Sequence, residues 1–279
     1  MNSLTAILLG FIQGLTEFLP VSSSGHLSIF ENIFNIDESH ILLYAAVLHL
    51  GTLGSVLVVY RRDIIDLFKE LFGVFSDVAH GKGMRINSSP TRRLGFMIII
   101  SAIPTGIIGF TLSDFFESLY AKVIVIGVCL IITGTILFIA EKIKGKNKGI
   151  YKMRFRDAFI IGLCQSVAIV PGISRSGSTL VGGLFCGLNR PLAVKFAFLM
   201  SIPPIAASGI LELADAIGQG TGDISIFSII IGVAVAFLAG LAAIKWMIKI
   251  VTDKSLIGFS IYTWLAGAAV ILLCVLGIL

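Results

Sequence analysis

Groups able to do acid–base and anion chemistry are concentrated in two short stretches of an otherwise apolar chain. The first stretch, residues 10–26, contains Glu17, His26 and three consecutive serines, and the second, residues 162–178, contains Arg175 among further serines. Both interrupt apolar sequence of membrane length, where an ionised side chain costs roughly 2.5–3.5 kcal/mol on insertion scales. Side chains this costly indicate a functional site, for which the rest of the chain serves as scaffold.

The two stretches are versions of each other. At an offset of 152 they align without a gap, and five positions coincide: Gly10 with Gly162, Gln13 with Gln165, Ser22 with Ser174, Ser24 with Ser176, and Gly25 with Gly177. In each, an apolar segment runs into a proline, a serine-rich loop and a second apolar segment, which predicts two short helices joined by a loop. We predict Ser24 and Ser176 as the N-caps of the second helices, because serine oxygens accept hydrogen bonds from free N–H groups there.

These residue types suit a phosphate group. A helix N-terminus offers free N–H groups and partial positive charge to an anion, and the guanidinium fork of Arg175 matches phosphate oxygens. Glu17 and His26 supply proton transfer or metal ligation. The other positions expected around the phosphate are Ser22, Ser24, Gly25, Ser174, Ser176, Gly177 and Thr179. A purely structural role, as a buried Glu17–Arg175 ion pair, explains two matched loops less well.

The same residues closely resemble the two signatures of the bacterial undecaprenyl-diphosphate phosphatase, or bacitracin-resistance, family. The matching positions are Gln13, Glu17, Ser23, His26, Ser174, Arg175 and Thr179. The resemblance implies removal of the terminal phosphate of undecaprenyl diphosphate, which recycles the lipid carrier of peptidoglycan synthesis at the bacterial plasma membrane. It also implies a divalent cation, Mg²⁺ or Ca²⁺, and an active site open to the outer face. Many members have Glu at the position of Gln13, so we assign Gln13 to positioning or, with Glu17, to metal support.

For this chemistry we assign the catalytic roles to Glu17, Ser23, His26 and Arg175. Phosphoryl transfer requires an in-line nucleophile, a proton acceptor and neutralisation of phosphate charge. Ser23 or an activated water is the nucleophile, Glu17 and His26 handle protons or ligate the metal, and Arg175 clamps the phosphates. The alternative is a transporter or flippase of a phosphorylated polyprenyl lipid or other anion, since broken helices are common in transporters. A carrier needs no nucleophile or base, so Glu17 and His26 favour the enzyme.

A second phosphatase signature fails. The run Ser24-Gly25-His26 is similar to one element of the phosphatidic-acid-phosphatase superfamily. The Lys-x6-Arg-Pro element that should precede it is absent, and Val181 stands where another element requires a histidine. We therefore reject that superfamily.

The composition is that of an integral membrane protein. Of the 279 residues, 56% are hydrophobic and 13% charged, with a mean hydropathy of +1.00, which is more apolar surface than a soluble domain buries. The net charge of +5 comes from basic loops without interleaved aromatic residues, so we expect no nucleic-acid partner. No removable signal peptide is predicted. The four cysteines and His49 lie in apolar segments and are assigned to packing.

Six apolar segments are long enough to cross about 30 Å of hydrocarbon, at 42–60, 94–112, 122–140, 192–213, 224–244 and 256–278. Basic residues concentrate in the loops 61–93, 142–156 and 245–254, whereas the loops near 114–117 and 212–223 are acidic. The positive-inside rule places the basic loops in the cytoplasm and the acidic loops outside. That arrangement requires the second motif to enter and leave on the cytoplasmic side, as a re-entrant helix–loop–helix.

The repeat then predicts the fold class, an all-α polytopic membrane protein with a single domain, 1–279. It consists of two inverted repeat units, at about 1–141 and 155–279, each a re-entrant helix–loop–helix followed by three transmembrane helices. The odd number of spans inverts the second unit, so broken helices from opposite sides meet near the membrane middle. Both termini are expected outside. The segment 63–80 is expected to form an interfacial amphipathic helix.

Overall fold

The structure, a computed structural model, describes residues 3–34, 38–120, 122–143, 147–219 and 225–279. The α-helices are α1 Ser3–Phe18, α2 Ser23–Ile33, α3 Glu38–Val59, α4 Arg61–Ala79, α5 Pro90–Thr111, α6 Ser113–Tyr120, α7 Val123–Glu141, α8 Phe155–Val167, α9 Arg175–Phe185, α10 Arg190–Met200, α11 Ile202–Gln219, α12 Ile226–Asp253 and α13 Ile257–Val275. A short 3₁₀ turn, Ile150–Lys152, precedes α8, and Lys148 forms an isolated parallel bridge with Leu188. The predicted all-α class is confirmed.

Five of the six predicted membrane spans are confirmed, and the sixth, at 42–60, is a candidate only together with α4. Segments long and apolar enough to cross a membrane are Pro90–Thr111, Val123–Glu141, Arg190–Leu211, Ile226–Thr252 and Ile257–Val275, and the bent pair α3–α4 makes a sixth candidate. The chain is therefore a multi-pass membrane protein. The span predicted as continuous over 192–213 consists of α10 and α11, which meet at Ser201. Pro203 and Pro204 follow directly, and the N–H groups they lack interrupt the helical hydrogen bonding.

The two motif regions fold as pairs of short helices. The pairs α1–α2 and α8–α9 contain helices of 16, 11, 13 and 11 residues, fewer than the roughly 20 that a membrane crossing needs. Helix α1 packs along α12, and α8 packs along α5. Each motif therefore lies against a long helix of the other predicted unit. This reciprocal packing is expected of two equivalent units. The boundaries of the units and their inversion stay predictions.

Aligned glycines make the same kind of contact in both pairs. A methyl group on Gly10 would overlap the carbonyl oxygen of Gly232 in α12, and one on Gly162 would overlap the carbonyl oxygen of Ser101 in α5. The absence of a side chain lets the two backbones approach closely, as in membrane helix pairs packed through small residues. The coincidence of Gly10 with Gly162 in the repeat therefore has a packing cause.

We expect Gly162→Ala to destabilise the protein by about 1–3 kcal/mol, the usual cost of overpacking a tight contact. The added carbon meets backbone, which cannot rotate away. Gly106→Ala in α5 is the matched control, because its added carbon meets nothing within 4 Å. Thermal unfolding of the purified protein in detergent should show a lower midpoint for Gly162→Ala only. Equal midpoints in the two variants would contradict the close approach.

Helix α4 leaves the direction of α3 sharply. The two helices meet at Tyr60 with a bend of 82°, and large apolar side chains at Ile65, Phe68, Phe72 and Phe75 are exposed along α4. An exposed apolar stripe on a helix nearly perpendicular to a span fits the predicted interfacial helix.

Polar contacts fix α4 to the first turn of α5. The guanidinium of Arg92 donates to Glu70 and to Asp77, each at 2.7 Å, and the hydroxyl of Ser89 donates to Glu70 at 2.6 Å. The hydrogen bonds from Ser89 and Arg92 hold the pKa of Glu70 below its usual range. The docking of α4 therefore depends on an ionised Glu70, and it weakens as the pH falls through that lowered pKa.

Candidate active site

Three side chains converge on the buried carboxylate of Glu17, near the end of α1. Its Oε2 accepts a hydrogen bond from the hydroxyl of Ser23 at 2.6 Å and from Nε2 of Gln13 at 2.9 Å. Its Oε1 accepts from Nη2 of Arg175, across 158 residues of sequence. Ser23 begins α2 and Arg175 begins α9. The carboxylate thus joins the two predicted loops at one point.

A serine caps the second helix of each loop. The Oγ of Ser22 accepts from the N–H of Gly25 at 3.2 Å, and the Oγ of Ser174 accepts from the N–H of Gly177 at 3.0 Å. The two caps occupy aligned positions of the repeat, as do the two glycines. The loops therefore share their helix-starting geometry as well as their sequence.

The predicted N-caps, Ser24 and Ser176, are wrong. A capping oxygen bonds an N–H two or three residues further on, and in these helices that group belongs to Gly25 or Gly177. The hydroxyls of Ser24 and Ser176 instead lie beside the capping hydroxyls of their own loops, at 3.4 and 3.1 Å. Ser176 also donates to the carbonyl oxygen of Leu19 at 2.9 Å, which ties the second loop to the first.

The loops differ in where the backbone turns left-handed. In the second loop Gly172 has φ 90°, whereas in the first Ser22 has φ 70°. The residue aligned with Gly172 is Pro20, whose ring fixes φ near −65°. The turn therefore falls at Ser22, where a side chain makes this conformation cost on the order of 1–3 kcal/mol. The first loop is strained at the residue that precedes Ser23.

A narrow cleft opens at the Glu17–Arg175 pair. Ser176 and Thr179 complete its polar wall, and the remaining lining residues are Phe18, Ala197, Phe198 and Ser201. The side chain of Arg175 is 25% exposed and that of Glu17 only 1%. The guanidinium is therefore the part of the pair that an entering anion meets first.

His26 is held apart from this cluster by bonds of its own. Its Nδ1 lies 2.7 Å from the carbonyl oxygen of Ser22, so Nδ1 carries the proton, and its Nε2 lies 2.6 Å from the hydroxyl of Tyr262 in α13. The hydroxyl of Tyr262 therefore donates to His26. Tyr262 is missed by the sequence analysis, because a tyrosine within an apolar span carries no motif.

Two further contacts to the site are missing from the sequence predictions. His49, assigned to packing, donates from Nδ1 to the carbonyl oxygen of Ala45 at 2.8 Å, but its Nε2 also lies 3.9 Å from Oε2 of Glu17. Thr133 of α7 accepts from the N–H of Ser174 at 3.1 Å. Each is a polar residue in a largely apolar helix, and the sequence does not indicate which neighbour it contacts.

Oxygen donors beside Glu17 fit a hard divalent cation. The Oε1 of Gln13 is buried and has no hydrogen-bond partner within the described residues, and carboxylate and amide oxygens are ligands that such cations prefer. No group of three or more His, Cys, Asp or Glu forms a metal cluster in the described parts of the chain, so waters and a substrate would complete the shell. The aligned Gln165 also has an unpartnered Oε1, but Ile169 stands where the first loop has Glu17.

Comparison with known proteins places this site in a family. The sequence profile of the bacitracin resistance protein BacA family matches residues 6–269, which include both loops. The chain belongs to the BacA family. Relatives named undecaprenyl-diphosphatase cover nearly its whole length. That of Alkaliphilus metalliredigens (strain QYMF) is 47% identical over 99% of this chain and 100% of its own. That of Carboxydothermus hydrogenoformans is 40% identical over 98% of both chains.

A third relative is similar to the same extent. The undecaprenyl-diphosphatase of Bacteroides thetaiotaomicron is 40% identical over 98% of this chain and 99% of its own. The family resemblance seen in the two loops is thereby confirmed. In this BacA-family protein the two signatures meet at the carboxylate of Glu17.

Proposed function

We propose that this protein hydrolyses undecaprenyl diphosphate to undecaprenyl phosphate and phosphate, the activity named for its relatives. The observation that carries the proposal is the hydroxyl of Ser23 donating to Glu17 at 2.6 Å beside the guanidinium of Arg175. A nucleophile bonded to a base is the arrangement for activating a hydroxyl. A carrier of the same lipid needs the positive charge of Arg175 to bind the phosphates, but it does not need a nucleophile bonded to a base.

The geometry supports Ser23 over water as the nucleophile. Ser23 Oγ attacks the terminal phosphorus while its proton passes to Oε2 of Glu17. The bond to the bridging oxygen breaks, undecaprenyl phosphate leaves with the proton returned from Glu17, and Ser23 holds the phosphoryl group. A water then attacks the phosphorus with Glu17 again as base, which frees phosphate and restores the hydroxyl of Ser23.

Arg175 changes partner during this sequence. In the structure its guanidinium is paired with the carboxylate of Glu17. An entering diphosphate competes for the guanidinium and releases the carboxylate to act as base. The N-terminal turns of α2 and α9 supply further N–H groups toward the phosphate charge.

The family resemblance implies a divalent cation, Mg²⁺ or Ca²⁺. Gln13 and Glu17 are the residues that would hold it, together with oxygens of the substrate phosphates. A bound cation neutralises phosphate charge during transfer.

The direct test is phosphate release from a polyprenyl diphosphate by the purified protein, with and without EDTA. Release that EDTA abolishes and added Mg²⁺ or Ca²⁺ restores is the expected result. Binding of the lipid diphosphate with no release under either condition would overturn the enzyme in favour of the carrier.

In the steps above Glu17 carries the protons, and His26 positions the first loop through its bond to the carbonyl oxygen of Ser22, with Tyr262 fixing the other ring nitrogen. We expect Tyr262→Phe to reduce kcat about tenfold, less than His26→Ala, since only the hydrogen bond that orients the imidazole is lost. The pH profile of kcat should shift in Tyr262→Phe while KM stays within a few-fold. An unchanged pH profile would assign Tyr262 to packing alone.

The basic and acidic loops support a site open to the outer face, with both termini outside. After Cys129, Cys164, Cys186 and Cys274 are replaced by alanine, Asp114→Cys should react with an impermeant thiol reagent in intact cells. A cysteine introduced at Lys249 should react only after permeabilisation, because the positive-inside rule places that residue in the cytoplasm. Labelling of Lys249→Cys in intact cells would overturn the re-entrant assignment of the second motif.

A further inference from the structure

A second and larger cleft lies outside both signature loops, at the start of α8. It is lined by the basic side chains of Lys148, Arg154 and Arg156. The apolar side chains of Ile160 and Phe185 also line it. The reaction proposed above uses none of these residues.

The charge of this basic cleft is suited to an anion. The acid in its lining, Asp157, accepts from Nζ of Lys148 at 3.1 Å and from the N–H of Arg154 at 2.9 Å. Its charge is therefore already matched by that of Lys148. The side chains of Arg154 and Arg156 are exposed, so the two guanidinium groups give the cleft a net positive charge. Arginine forks bind phosphate oxygens in pairs.

The walls of the basic cleft are held in place by bonds from Lys148 and α8 to the chain beyond α9. The N–H of Lys148 donates to the carbonyl oxygen of Gly187 at 2.9 Å, and the N–H of Asn189 donates to the carbonyl oxygen of Lys148 at 3.0 Å. The thiol of Cys186 reaches the carbonyl oxygen of Asp157 at 3.8 Å. A ligand therefore meets a cleft that is already formed.

The apolar side of the basic cleft selects the class of anion. Phe185 is 56% exposed, and Phe155 and Phe159, which flank Arg156 in α8, are also exposed. Free phosphate makes no apolar contact with these side chains, whereas the acyl chains of a lipid pack against them. Basic pockets beside membrane helices commonly bind anionic headgroups.

We propose that the basic cleft binds the phosphate headgroup of an anionic phospholipid, with Arg154 and Arg156 on the phosphate and Phe185 against an acyl chain. Because it lies among the basic loops, this lipid belongs to the cytoplasmic leaflet. The site is independent of the substrate site at Glu17 and of the activity proposed for it.

The test uses the purified full-length protein in a neutral detergent, with phosphatidylglycerol, phosphatidylcholine and inorganic phosphate as separate probes. Native mass spectrometry would count retained lipids. The double variant Arg154→Ala with Arg156→Ala should retain phosphatidylglycerol about tenfold less, given the contribution of each basic side chain to anionic-lipid binding. The matched control removes Arg61 and Arg62 of α4, both also exposed, and should change retention much less.

Phe185→Ala separates a lipid from a free anion. It should weaken phosphatidylglycerol retention and leave phosphatidylcholine retention at its low level. Inorganic phosphate at equal concentration should not displace the lipid. Equal losses of phosphatidylglycerol retention in the two double-arginine variants would show that general surface charge binds the lipid, and would overturn the proposal. Displacement by inorganic phosphate, with no effect of Phe185→Ala, would make it a soluble-anion site and overturn the proposal.

Discussion

Glu17→Gln is expected to lower the rate of phosphate release by about three orders of magnitude, since a positioned general base contributes roughly 10²–10⁴-fold. The amide keeps the size of the side chain but cannot take the proton of Ser23. Binding of a non-hydrolysable lipid diphosphate should stay within a few-fold, because Arg175 lies on the other loop and is freed from its partner. Single-turnover release and ligand affinity, measured side by side, check this result.

The matched control for Glu17→Gln lies elsewhere in the chain. Glu141 at the end of α7 accepts from Arg190 at 3.0 Å, so it is a second glutamate paired with an arginine. Glu141→Gln removes the same charge outside the site and should leave turnover unchanged. Equal and modest losses of turnover and affinity in Glu17→Gln would favour the carrier over the enzyme.

Arg175→Lys is expected to reduce kcat/KM on the order of 10²-fold, comparable with the removal of one preorganised donor to transition-state charge. A lysine keeps the charge and can still pair with Glu17, so the fold should survive. It replaces a planar fork with a single point charge, which cannot hold two phosphate oxygens at once. Steady-state kinetics with a polyprenyl diphosphate measure the loss.

Arg190→Lys controls for the general effect of exchanging a paired arginine. Arg190 bonds Glu141 and the carbonyl oxygens of Val251 and Lys254, so its exchange should lower the thermal midpoint without changing turnover. Near wild-type turnover in Arg175→Lys would remove this residue from the phosphate clamp.

The membrane helices can be predicted well from the sequence because the bilayer imposes simple rules on their length and composition. A span must be long and apolar, and the six such segments all correspond to helices. The convergence of the two loops also follows from their repeat, whereas the Glu17–Arg175 ion pair seen in the structure entered the sequence predictions only as the less favoured structural alternative. The helix break at Ser201 was not predicted, because the hydropathy of 192–213 remains high across it.

The polar details of the site depend on tertiary contacts that leave no local pattern. Tyr262 reaches His26 across 236 residues, and nothing in its own span distinguishes it from a lipid-facing tyrosine. The error at Ser24 has a local cause instead. Three consecutive serines offer three candidate caps, and only the first of them lies three residues before the N–H that is capped, that of Gly25.

Helix α9 joins the two clefts, with Arg175 at its first residue and Phe185 at its last. Its 11 residues span about 16 Å at the α-helical rise. If α9 runs along the membrane normal with the charged side chains beside Phe185 at headgroup level, we expect Arg175 near the middle of a hydrocarbon layer about 30 Å thick. The distance between Arg175 and the cytoplasmic headgroups is then fixed by α9, so the bilayer thickness determines how far a diphosphate must move from the outer surface to reach the guanidinium. A thinner membrane shortens that path and a thicker one lengthens it, so the acyl-chain length of the surrounding lipids becomes a variable of the reaction rate.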